Sequence, residues 1–388
     1  MQLADAAKLN GQARNAGSNA EGPVDILCLC NWHGVGGAQL NAGMLASAFA
    51  DRGYRSELCF LFEREADSSH GTEGASVLLA GKPRGVAGWV KFAQAIKREI
   101  VDRRPRAIIG FFPMSNVVGA LAARWIGNCT MVATQRNPSD RQNPVVGYLE
   151  RLLGGTGLYG ANIAVSEAVA ASFAAYGEKY RSKLQVVHNA TPALQPITDS
   201  RQACRQRFAM PVHGPVLGIL GRLHEQKNPR FALQVLAKVP DAQLYFAGEG
   251  PEEVPLRTQA AQMGVADRVH FLGSLSGADV TKFYRAIDVL LFCSIYEGFG
   301  RVLVEAMSQG APVIASDISV AREIGGDAPI YLPFDAPAWA AQVPQLAISG
   351  PTRQRAITAG LQRAGEFTLQ SMVDGYLDAS GFPHRGAS

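Results

Sequence analysis

Short β-rich runs alternate with helical stretches along most of the chain, and the alternation stops once and then restarts. From Val24 the runs read VDILCLC, SELCFLF, AIIGFF, MVATQ, ANIAVS and LQVVHN, with a glycine loop and a helix through Leu45 after the first and another helix near Val90 to Val101. Strand, helix, strand in this order predicts a parallel sheet covered on both faces. Asn189 to Ile197 (NATPALQPI) then holds two prolines and no periodic pattern, which reads as a linker. Beyond it PVLGIL, AQLYFAG, RVHFLG, DVLLFC, PVIAS and IYL announce a second parallel sheet of similar size. The expected fold class is α/β, two doubly wound Rossmann-like domains facing each other across a cleft, with ligands at the carboxyl ends of the strands. A chain of 388 residues exceeds what one hydrophobic core serves, and nearly half apolar residues suffice for two.

Composition narrows the function classes. Net charge is only +4, and no interleaving of basic and aromatic residues or recognition helix points to nucleic acid. The six cysteines lie mostly in short apolar runs and read as reduced core residues in a cytoplasmic setting. Cys28 and Cys30 are read as packing residues on opposite faces of one strand, and no metal site is proposed. Residues 1–22 are polar and small, lack the apolar region of a secretory signal, and read as a disordered leader. No apolar run is long enough to span a bilayer.

Four loops at strand ends carry the candidate chemistry. Asn31 to Ala38 follows the first strand, and Gly34, Gly36 and Gly37 there let backbone approach a phosphate or hydroxyl-rich group at a helix start; a tight turn is the competing account. Gly221 to Pro229 places Arg222 and Lys227 ahead of a helix that Asn228 is expected to cap, with Pro229 as its first residue. Two cations beside a positive helix end are unfavourable unless an anion is bound, so a phosphate-bearing ligand accounts for both; two solvated surface cations are the alternative.

The third loop, SIYEGFGRVLVEAMSQG, turns after the DVLLFC strand into a helix expected from Val302 to Gln309 with Gly310 beyond it. Amides of Gly298, Phe299 and Gly300 face a second phosphate surface. Glu305 is placed to accept hydrogen bonds from vicinal ribose hydroxyls, and Glu297 precedes it in the turn; either acid alone also fits a capping or surface role. The fourth loop, TQRNPSD, offers Arg136 to orient an acceptor, against an ordinary Asn-Pro turn.

The run YEGFGRVLVEAMSQGAPVIASD, with GRLHEQKN, FAGEGP and RVHFLGSL before it and HGVGGAQ and QVVHNAT upstream, resembles the retaining glycosyltransferases of the GT4 group, which have the GT-B fold. The resemblance spans about Val24 to Tyr376. It implies domains of 23–190 for the acceptor and 201–365 for the nucleotide sugar, a linker at 191–200, and a helix and tail at 366–388 returning to the first domain. It further implies that Arg222 and Lys227 neutralise a diphosphate, Glu297 contacts sugar hydroxyls near the reaction centre, and Glu305 holds the ribose. Gly221 and the amides of Gly298, Phe299 and Gly300 complete the donor site, backbone at Phe271 and Leu272 receives the base, and Gly36 and Gly37 allow the first domain to close on the donor. The expected reaction moves a hexose or N-acetylhexosamine from a UDP-sugar to a glycan or lipid-linked acceptor in surface polysaccharide synthesis, with no cofactor or metal. A sugar-nucleotide 2-epimerase and a non-catalytic nucleotide-sugar-binding partner are the alternatives on the same scaffold.

The first domain departs from the family pattern. Many relatives carry a histidine after the strand that ends here in Gly110 to Met114; Ser115, Asn116 and His33 are the substitutes nearest to hand. The stretch from Gly81 to Arg106 is rich in Lys and Arg, with Trp89, Val90, Phe92 and Ile96 on an apolar side. It reads either as a core-facing helix with a basic back or as a contact with an anionic membrane, the inner face of the plasma membrane.

Overall fold

Apolar runs of three to eight residues, rich in β-branched and aromatic side chains, form strands, the central ones buried on both faces as in parallel sheets. The computed structural model describes residues 23–34, 36–63, 75–191, 194 and 197–386. The expected leader at 1–22 and part of the expected linker lie outside the described residues. Two compact units emerge, one of Met1–Ala190 with Leu369–Ser388 and one of Thr191–Thr368.

The first unit holds seven parallel strands in the order β3-β2-β1-β4-β5-β6-β7, where β1 is Ile26–His33, β2 Ser56–Glu63, β3 Ser76–Leu79, β4 Ala107–Gly110, β5 Thr130–Gln135, β6 Ala161–Ala164 and β7 Leu184–Val186. β3 is a strand that the sequence pattern does not announce. Helix Gly85–Ile96 begins earlier than expected and ends in a wider turn at Lys97–Val101. Ile26, Cys28 and Cys30 enter one core layer while Leu27 and Leu29 enter the other. The two cysteines therefore share a face, contrary to expectation, because side chains two apart on a strand point the same way. Both are free thiols, and burial pushes the Cys28 pKa up to about 12.

The Leu369–Ser380 helix completes this first core. Tyr376 is fully buried and stacks on Phe111, the sulfur of Met372 accepts from the Ala190 amide at 3.2 Å, and Asp374 pairs with Arg52 at 2.6 Å.

The second unit holds six parallel strands in the order β10-β9-β8-β11-β12-β13, with β8 Val216–Leu220, β9 Gln243–Ala247, β10 Val269–Phe271, β11 Val289–Phe292, β12 Val313–Ser316 and β13 Ile330–Leu332. All six expected runs form. Just past β8 and β9 the chain packs backbone on backbone: Gly221 N–H donates to Ala247 O at 2.9 Å and Leu223 N–H to Glu249 O at 2.9 Å. A Cβ on Gly248 would lie 2.0 Å from the Gly221 carbonyl oxygen, and φ there is +148°. This is why glycine stands in the FAGEGP stretch.

One polar cluster is sealed inside the first unit. Glu150 Oε1 accepts from Asn116 Nδ2 at 2.7 Å and from Gln135 Nε2, which also donates to Asn162 Oδ1 at 3.0 Å. The Glu150 carboxyl is fully buried, and desolvation pushes its pKa up to about 7 against the hydrogen bonds that lower it.

Two expectations follow. Gly248→Ala must move a carbonyl and adopt a strained φ, so the urea midpoint should fall by the equivalent of about 2 kcal/mol or more; Gly37→Ala, whose Cβ meets nothing within 4 Å, serves as the unaffected control. Folding favours the protonated Glu150. Its contribution is complete below the ordinary pKa of 4.5 and is lost as pH rises through about 7. Glu150→Gln should thus match the parent in acid and exceed its stability at pH 8, by about 3 kcal/mol. Parallel stability curves across that range would contradict the assignment.

Candidate active site

β8 and β11 are hydrogen-bonded neighbours at the point where strand order reverses, so the chain segments leaving them diverge. A gap at such a switch point is where open α/β sheets take ligands. The Gly221–Pro229 segment leaves β8 and the Ser294–Gly300 segment leaves β11. Gln226 ties them together: its carbonyl accepts from the Ile295 amide at 2.9 Å, and its Nε2 donates to Tyr296 O at 3.0 Å. Gln226 sits in a short 3-10 turn, Glu225–Lys227. Asn228 follows at φ 47° and ψ 48°, left-handed, with no side-chain cap, and Pro229 opens the next helix. The expected Asn cap is replaced by a conformation that asparagine tolerates better than most residues.

This bracing brings Lys227 onto Glu297. The ammonium donates to Glu297 Oε1, which also accepts from Ser294 Oγ at 2.8 Å, and Ser294 is held in turn through its carbonyl by Ser316 Oγ at 2.6 Å. Lys227 also lies 5.8 Å from the centre of the Phe292 ring. The carboxylate is largely buried, so it fixes the position of the ammonium; the ammonium keeps two further N–H donors. Arg222 is exposed and has no hydrogen-bond or ion-pair partner among the described residues. It follows the same strand end as Lys227, and its charge is available to an anion.

Helix Arg301–Ser308 rises from the second segment, one residue longer at its start than expected, with Gly300 ahead of it at φ +82° and ψ 49°. Only glycine takes that backbone without strain. Gly298, Phe299 and Gly300 thus precede the helix start as expected, with Phe299 buried edge-on to Phe367. Glu305 forms a second cluster: Oε1 accepts from Arg301 Nε at 2.7 Å and Oε2 from Tyr284 Oη at 2.8 Å. Burial and the neighbouring carboxylate hold the Tyr284 pKa well above its usual value, so the phenol stays a donor. The carboxylate is 1% exposed, less open than a residue awaiting a ribose needs, although each oxygen retains a lone pair. Its approach is through Arg301, which sequence reasoning missed although its spacing of four from Glu305 on the helix was legible. Tyr284 and Ser294 were missed too; Tyr284 reaches the site from another helix and leaves no local signal.

Other expected contacts stand as follows. The Phe271 ring stacks on Phe246 at 5.1 Å under the Arg257 guanidinium, and the Leu272 amide donates to Phe246 O at 2.9 Å, which removes it from the groups a base would meet. In the first unit, Gly36 precedes and Gly37 opens helix Gly37–Asp51; Gly36 is fully extended, a backbone any residue adopts. His33 ends β1 with its ring 4.9 Å from Phe60. Ser115 and Asn116 are corrected. Both are fully buried: Ser115 Oγ accepts from the Phe111 and Phe112 amides at 3.1 and 2.9 Å, and Asn116 belongs to the Glu150 cluster. They shape the segment after β4 rather than face an acceptor. Arg136 is half-buried: it donates to Asn189 Oδ1 at 2.9 Å, lies over the Phe111 ring and meets Tyr376, and burial lowers its pKa. Among the described residues no cluster of three or more His, Cys, Asp or Glu has metal-holding geometry.

Comparison with known proteins agrees with this architecture. The model for Glycosyltransferase Family 4 matches residues 35–193, and that for Glycosyl transferases group 1 matches residues 200–363. The D-inositol 3-phosphate glycosyltransferase of Mycolicibacterium smegmatis is 30% identical over 206 residues, 51% of this chain and 47% of that protein. The lipopolysaccharide core biosynthesis glycosyltransferase LpsE of Rhizobium meliloti is 28% identical over 177 residues, 45% of this chain and 52% of that protein. The chain spans about half the length of these curated relatives. HepE of Anabaena, solved with UDP and glucose, superimposes with a TM-score of 0.79 at 21% identity, over 92% of this chain and 99% of that one. The chain belongs to the family 4 glycosyltransferases, with their GT-B fold.

Proposed function

We propose that the chain is a retaining glycosyltransferase that moves a hexose or N-acetylhexosamine from a UDP-sugar to a glycan or lipid-linked acceptor in surface polysaccharide assembly, without a metal. The observation that carries this reading is the contact of Lys227 with Glu297 at the β8/β11 switch point, with the unpartnered Arg222 beside the same strand end. The likeness to LpsE and to a protein solved with UDP and glucose supports the acceptor class and the donor.

The chemistry follows from charge. Transfer breaks the bond between the anomeric carbon and the diphosphate oxygen and forms one to the acceptor oxygen, whose proton passes to the departing diphosphate. Negative charge grows on the phosphate and positive charge on the sugar ring. Lys227 and Arg222 stabilise the first. Glu297, held by Ser294 and Lys227, stands by the sugar and needs no covalent step. Glu305 takes the ribose hydroxyls once Arg301 yields part of its hold.

A panel of UDP-, GDP- and ADP-sugars read by thermal shift identifies the donor, since a ligand at 100 times its Kd stabilises the folded state by about 2.7 kcal/mol. Release of nucleoside diphosphate should then depend on acceptor; conversion of the donor without acceptor would favour the epimerase instead. Lys227→Ala should lower kcat/KM by about 100-fold or more with the fold intact by circular dichroism. Glu305→Gln should chiefly raise the donor Kd, by about tenfold or more. Unchanged rates and affinities in both variants would remove the basis of the assignment.

A further inference from the structure

The outer sides of helices Gly85–Ile96, Pro113–Ile126 and Pro144–Gly154 meet around an apolar groove of about 720 Å3 in the first unit. Phe92 and Val118 point inward to the core, but the same helices leave large side chains outside: Trp89 is 54% exposed, Trp125 64% and Tyr148 67%, with Val86, Leu121 and Leu152 around them. The helix that sequence reading placed either against the core or against a membrane therefore does the first with one side and leaves the other uncovered. Exposed aromatic and aliphatic side chains gathered around one groove suit a partner that is itself apolar at the contact.

The charge pattern says what covers it. The three helices carry Lys91, Arg124 and Arg151, of which Arg151 is turned to the Ala175 carbonyl and the Tyr176 ring, and their single carboxylate, Glu150, is buried. Arg84, also exposed, stands ahead of the first helix. Lys97 and Arg98, just beyond it, are engaged by Asp102 and Glu99. No exposed acid on these helices opposes an anionic surface. A protein partner would be met by hydrogen-bonding groups at about one per 100–200 Å2, whereas Arg124 is the one charged side chain that lines the groove and Trp89 and Trp125 add only their indole N–H groups. Trp and Tyr are the side chains that favour the headgroup level, apolar on one side and polar on the other.

We propose that this face docks on an anionic lipid bilayer, with Trp89, Trp125 and Tyr148 at headgroup level, acyl chains against the groove, and Lys91 and Arg124 against lipid phosphates. Docking is lateral and peripheral: no helix among the described residues is long and apolar enough to cross a membrane.

The full chain is floated with vesicles of phosphatidylcholine alone or mixed with phosphatidylglycerol. Binding should require phosphatidylglycerol and weaken with salt. The double variant Trp89→Ser/Trp125→Ser should lower affinity at least about tenfold. Lys91→Gln/Arg124→Gln should lower it about fivefold per charge removed. All four side chains are on the surface, so circular dichroism should match the parent. Absence of binding to the mixed vesicles, or variants that float as the parent does, overturns the proposal. So does sedimentation that shows a dimer dissolved by the tryptophan changes, since a second copy would then cover the face. Flotation needs neither donor nor acceptor, so its outcome is independent of the transfer reading.

Discussion

Everything at the candidate site depends on where one sheet reverses its strand order. β8 and β11 lie side by side, yet the chain leaving each departs in a different direction, so their carboxyl ends frame a gap instead of a packed crossover. Two short segments border that gap, and Gln226 bridges them through one main-chain and one side-chain hydrogen bond. With the segments braced, an ammonium and a carboxylate that are 70 positions apart in sequence meet without either element needing to adapt. Tight packing beneath, with Gly248 against the Gly221 carbonyl, keeps the first segment from drifting.

That arrangement makes the Lys227–Glu297 contact more than a stabilising ion pair. Partly buried pairs return little net stability once desolvation is counted. Their value here is positional: the carboxylate fixes the cation by one N–H and leaves it two further donors. The Glu305 cluster works in the opposite sense. Its carboxylate is held by a phenol and a guanidinium in a recess, so the pair closes on itself.

Much of the fold was legible because buried parallel strands write themselves as compact apolar runs, and all twelve of the runs singled out became strands. β3, SVLL, is too short and too weakly bounded to stand out. Local signals also fixed Gly310 as the residue after its helix, with φ +68°. What stayed hidden was long-range. Nothing near Asn116 shows that Glu150 meets it, and nothing near Arg136 shows Asn189 and Tyr376 around it. Helical spacing located an apolar side at Trp89 and Phe92 but could not divide it between interior and exterior, because the division depends on which neighbouring helix ends where.

The Leu369–Ser380 helix has a consequence for how the molecule comes into being. It seats Met372, Val373, Tyr376 and Leu377 in a core whose other members, Phe382 apart, lie before Thr191. On the ribosome, every residue of the second unit emerges before that last wall arrives. The earlier half must wait in an unfinished state with Phe111 and Val187 uncovered, and chaperone protection belongs to that interval more than to any later one.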